Sequence, residues 1–114
     1  MDQNDVERQV ARWVKLLSGA FPADAMSDSG TSGEAHIYFL WSGNEHDELP
    51  RKVHIVISLD ATAEYLRRPE ADEDRRKADV WLRSTLESKL AAHDFVRDRV
   101  LEWSVLSNDL NRRR

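Results

Sequence analysis

The sequence predicts an α+β domain: a two-layer sandwich in the order α-β-β-α(-α)-β, with a small antiparallel sheet and helices packed on one face. Three observations lead there. Apolar residues recur at helical spacing near the N-terminus and again after residue 73. Between them, His36–Ser42 and Lys52–Leu59 alternate apolar and polar residues, with β-branched and aromatic types throughout. And 114 residues, 40% of them apolar, suffice for one core and leave no room for a second. The domain is expected to span 1–107, with 108–114 as a basic, disordered tail.

The first helix is expected from about Asp5 to Ser18. Val6, Val10, Val14 and Leu17 make one stripe with Trp13 beside them. Asn4 and Glu7 resemble a capping box, while Gly19 and Pro22 supply a stop. Pro22–Glu34 then reads as a loop, rich in Asp, Ser and Gly, with turn dipeptides at Ser29-Gly30 and Ser32-Gly33. At about thirteen residues it is long for a compact domain.

The hairpin carries the clearest signal. Ile37, Phe39 and Trp41 share one face of the first strand; Val53, Ile55, Ile57 and Leu59 share one face of the second. The link Gly43–Arg51 is polar, contains Pro50 and is too long for a tight turn. Matching the apolar faces sets Trp41 against Val53 and Phe39 against Ile55.

Asp60 is placed to cap a short helix, Ala61–Arg68, that Pro69 ends. Glu70, Asp72, Glu73 and Asp74 crowd the start of a longer helix and complement its dipole. That helix reaches about His93, with Ala78, Leu82, Leu86 and Leu90 as its stripe. Arg75/Asp79, Asp79/Arg83 and Arg83/Glu87 read as i,i+4 pairs on its outer side. In Arg99–Leu106, alternation of Leu101, Trp103 and Val105 favours a third strand; a helix capped by Asp94 or Asp98 is the alternative.

Composition narrows the function classes. Without cysteine there is no disulfide, thiolate metal site or cysteine nucleophile. An acidic, polar start and apolar runs far short of about 20 residues give neither a signal peptide nor a membrane span, so a soluble, cytoplasmic chain is expected. Arginine outnumbers lysine thirteen to four, a usage that points to a GC-rich bacterial genome. Net charge is −4, against general nucleic-acid binding. The charge is uneven: residues 1–50 hold three basic and nine acidic side chains, residues 51–114 fourteen and twelve. Nucleic-acid association through Arg67–Lys77 and the basic tail is therefore a minor alternative.

No motif marks a catalytic centre, so no enzyme, catalytic residue or cofactor is assigned. The Ser27–Gly33 stretch has no predicted strand before it and no Lys after it, unlike a phosphate-binding loop. The carboxylates sit in polar loops, helix first turns or charge pairs, where nothing raises their pKa. The four tryptophans all fall on core-facing positions. His36, His46 and His54 form a weak ligand cluster; in the register above, His36 and His54 are offset by about four residues and do not touch.

The open face of the hairpin is the better lead. Opposite the core it presents Tyr38, Leu40, His54 and Val56, more apolar than a solvated face needs to be. The leading expectation is a non-enzymatic interaction or adaptor protein using that face, as a homodimer or with a protein partner. The alternative is a small-molecule or metal-binding domain using His36, His54 and Tyr38. In general character such a chain is similar to acidic secretion chaperones, a similarity of size, charge and element order and not of residues.

Overall fold

Asp2, ahead of the expected Asn4, starts the first helix: its carboxylate accepts from the Asn4 N–H at 2.9 Å. The computed structural model describes residues 2–43 and 49–112. In it α1 (Gln3–Ser18) is followed by β1 (Met26–Gly30), β2 (Ala35–Trp41) and β3 (Arg51–Ile57). Then come α2 (Leu59–Leu66), α3 (Glu73–Ala92), β4 (Val100–Val105) and α4 (Ser107–Leu110). This is a mixed α+β fold around one four-stranded sheet of order β1-β2-β3-β4. No helix among the described residues is long and apolar enough to cross a membrane.

The sheet departs from its expected form in three ways. First, β1 lies inside the segment expected to be loop. Met-Ser-Asp-Ser-Gly has no strand-favouring side chain, yet all five residues pair with β2, from Met26 opposite Leu40 to Gly30 opposite His36. Backbone pairing to a well-formed neighbour outweighs local propensity here. Second, the sheet is mixed: β1, β2 and β3 form an antiparallel meander, and β4 pairs parallel to β3. The α2–α3 crossover makes this possible, because it returns the chain to the end where β3 began.

Third, the hairpin register is shifted by two residues. Phe39 faces Val53 and Ile37 faces Ile55, while Trp41 faces Arg51. A shift of two keeps every side chain on its expected face and changes only its neighbours.

One face of the sheet is core. Ile37, Phe39, Val53, Ile55, Ile57, Trp103 and Val105 are buried with Val10, Trp13 and Leu17 of α1, Tyr65 of α2, and Leu82 and Leu86 of α3. The helices thus bring their apolar stripes to the same side. Trp13 and Trp103 are buried as expected; Trp41 and Trp81 are half-buried, packed on Phe21 and Phe95 and on Trp103 respectively.

Local caps differ in detail. Ser58, in place of Asp60, caps α2 by accepting from Ala61 N–H at 3.1 Å. Asp72 caps α3 through Asp74 N–H at 2.7 Å. The C-terminus differs more. The expected tail from Asn108 continues α4, Leu110 is fully buried, and the Asn111 amide donates to Ala61 O at 3.0 Å. Buried Leu110 and the hydrogen bonds of Asn111 to α2 and Arg68 together dock this otherwise polar segment.

Candidate functional site

The face opposite the helices is a grid, because paired residues of neighbouring strands point the same way. At the end nearest the β2–β3 connection, Met26, Leu40, Lys52 and Val100 form one row across all four strands. The next row is Asp28, Tyr38, His54 and Glu102. The third is Gly30, His36, Val56 and Ser104. The face has an apolar end, an aromatic and imidazole middle, and carboxylates on both edge strands.

The apolar row is open to solvent: Met26 is 71%, Leu40 36% and Val100 38% exposed. Beside it the rings pack on one another. Tyr38 lies nearly parallel to His54, with ring centres 4.4 Å apart and planes 11° from parallel. The Lys52 ammonium sits 5.1 Å from the Tyr38 ring centre, within cation–π range. His36 Nδ1 and His54 Nε2 are 3.1 Å apart, a hydrogen-bond distance.

This corrects the expectation that His36 and His54 are out of contact. The two-residue register shift makes them diagonal neighbours on adjacent strands, and diagonal neighbours with long rings can touch. Partial desolvation, and then the charge of His36, lower the His54 pKa; Glu102 opposes this and Lys52 adds to it.

Of the sequence-predicted site residues, Tyr38, Leu40, His54, Val56 and His36 are therefore brought together. His46 lies outside the described residues, as do Arg113 and Arg114 of the basic tail. Among the described residues no group of three or more His, Cys, Asp or Glu side chains is positioned to hold a metal ion. The basic stretch Arg67–Lys77 does not form one patch: Arg75 is buried, Arg68 donates to Asn111 O at 2.9 Å, and Arg76 pairs with Glu73 at 3.0 Å.

A second polar constellation was not foreseen. Arg75 and Asp79, expected on the outer side of α3, turn inward toward α1 and α2. Asp79 Oδ1 accepts from the Tyr65 hydroxyl at 2.8 Å and from the Trp13 indole N–H at 3.3 Å. Arg75 donates to Gln9 Oε1 at 3.1 Å and to Arg68 O at 3.3 Å, and stacks 4.6 Å over Tyr65. Only Arg83/Glu87 of the three expected pairs forms an ion pair, at 2.7 Å.

Burial raises the Asp79 pKa against the pull of its two hydrogen bonds and of Arg75. The expectation that no carboxylate has a raised pKa is thus overturned. Burial and the Asp79 contact likewise raise that of Tyr65. At the groove mouth, the hydrogen bond from Arg12, 2.9 Å away, lowers the Glu70 pKa. The groove, about 590 Å³, is lined by these groups. Its donors and acceptors are largely engaged with one another, which suits fastening α1 to α2 and α3. Ala78 and Leu82, both fully buried, put Asp79 at the border of the apolar stripe of α3, the one local sign that it could turn inward.

Set against models of protein families, curated proteins and solved structures, the chain matches none.

Proposed function

We propose that this chain is an interaction domain that self-associates, open sheet face against open sheet face, as a homodimer. The observation that carries the reading is the solvent-open pair Met26–Leu40, with Val100 across Lys52 in the same row, beside the Tyr38/His54 stack. An apolar patch rimmed by polar groups is the usual character of a protein-binding surface.

A second copy is the favoured occupant because the face is charge-complementary to itself. Acidic Asp28 and Glu102 stand on the outer strands, while cationic Lys52 stands on an inner one. A twofold arrangement can set each copy's edges near the other's centre, as an isologous interface requires. The half-buried Tyr38 ring, with little entropy left to lose, adds anchoring area.

The test is dilution. Amide shifts recorded from about 1 mM down to about 10 μM, a range spanning ordinary homodimer affinities, are expected to move for β1–β4 residues of the open face and not for α1. Concentration-independent shifts across that range at the molar mass of a single chain contradict the reading. Shifts confined to the exposed Val80 side of α3 would assign the interface to a different face.

A further inference from the structure

The geometry points to His36 and His54 as a two-imidazole binding site for a divalent transition-metal ion. The site lies on the face proposed to self-associate, but each copy carries both ligands, so ion binding is read separately from association. His36 Nδ1 and His54 Nε2 face each other at 3.1 Å. Two nitrogens bound to one ion at about 2.0–2.1 Å, at a tetrahedral angle, stand roughly 3.3 Å apart. The separation is near the bite distance; with ring centres 5.4 Å apart the nitrogens meet head to head, so both rings must turn for their lone pairs to converge on one ion in place of the shared proton.

Both ligands are held in place by the sheet. They project from β2 and β3, whose ladder fixes the backbones from Ala35/Ile57 to Trp41/Arg51. The His54 ring is further confined by stacking on Tyr38. Support of this kind lowers the entropy lost on binding and orients the ligand nitrogen. Glu102 is the β4 neighbour of His54 and acts electrostatically on it, so it offsets part of the charge an ion brings.

The donor set selects the ion class. Neutral imidazoles suit Zn²⁺, Ni²⁺ and Cu²⁺ and do not suit Mg²⁺ or Ca²⁺, which prefer oxygen. Two protein ligands leave the remaining coordination positions to solvent or, in the dimer, to the facing copy.

Titration of the wild-type chain with ZnCl₂, followed by imidazole ¹H–¹⁵N correlation spectra and calorimetry, tests the assignment. The His36 and His54 signals are expected to move together and saturate at about one ion per chain, with MgCl₂ inert. His36→Asn and His54→Asn are each expected to weaken binding about tenfold or more. Because the wild-type spectra alone identify the ligands, the outcome does not depend on the variants folding. Absence of movement at about 1 mM Zn²⁺ overturns the proposal, as does movement of His46 or His93 with the pair unmoved.

Discussion

Tyr65 on α2 and Asp79 on α3 are joined by a 2.8 Å hydrogen bond to Oδ1, the same oxygen that receives the Trp13 indole N–H from α1 at 3.3 Å. One carboxylate oxygen thus ties three helices together in a partly buried setting. The arrangement needs an acceptor at Asp79 more than it needs a charge. Asp79→Asn keeps an acceptor and removes the desolvated charge, so its stability is expected within about 1 kcal/mol of wild type or above it. Asp79→Ala strands the Tyr65 and Trp13 donors and is expected to lose about 2–3 kcal/mol. Urea unfolding of the three proteins at neutral pH measures both.

The raised Asp79 pKa gives this difference a pH dependence. Between the ordinary aspartate value of 3.8 and the raised native value, the folded state holds the proton more tightly than the unfolded chain does. The cost of the buried charge is fully present above that window and vanishes below it. The advantage of Asp79→Asn over wild type should therefore shrink as pH falls from 7 to about 3.5. An advantage that grows on acidification would reverse the assigned sign.

Leu110 anchors α4. Its side chain is fully buried, and Asn111 beside it donates to Ala61 O. Leu110→Ala is expected to cost about 2–4 kcal/mol, the usual result of emptying a closed apolar site. Thermal unfolding followed by circular dichroism reads this out; an unchanged midpoint would mean the segment is not docked.

Gly33 turns the chain between β1 and β2 with φ +78°, the single positive φ among the described residues. A Cβ there meets no neighbour, so substitution carries conformational strain and no clash. Gly33→Ala should cost about 1 kcal/mol in chemical denaturation, with the mutated turn otherwise retained.

Much of this molecule was legible from its residues. Val6/Val10/Leu17 and Ala78/Leu82/Leu86 announced the two long helices, and period-two alternation announced β2, β3 and β4 together with their faces. That is why Tyr38, Leu40, His54 and Val56 were found on one surface. What periodicity does not carry is register: a slip of two residues preserves both faces, and it decides whether His36 touches His54. Nor does it carry strands made by pairing alone, as in β1, or strand direction across a crossover, as in β4. Asp79 was misjudged for a related reason. Its i,i+4 arginines suggested solvent, while the partners that draw it inward, Trp13 and Tyr65, are far away in sequence.

Self-association through the open face is tested most directly by the molar mass of the chain in solution, from size-exclusion chromatography with light scattering. For wild type at about 100 μM, a mass near twice the 13.2 kDa of one chain is expected. Leu40→Asp, which sets a charge in the exposed apolar row without touching the core, is expected to elute at the mass of one chain with its unfolding midpoint preserved. A wild type that stays at 13.2 kDa, or a Leu40→Asp variant that remains dimeric, would contradict the account.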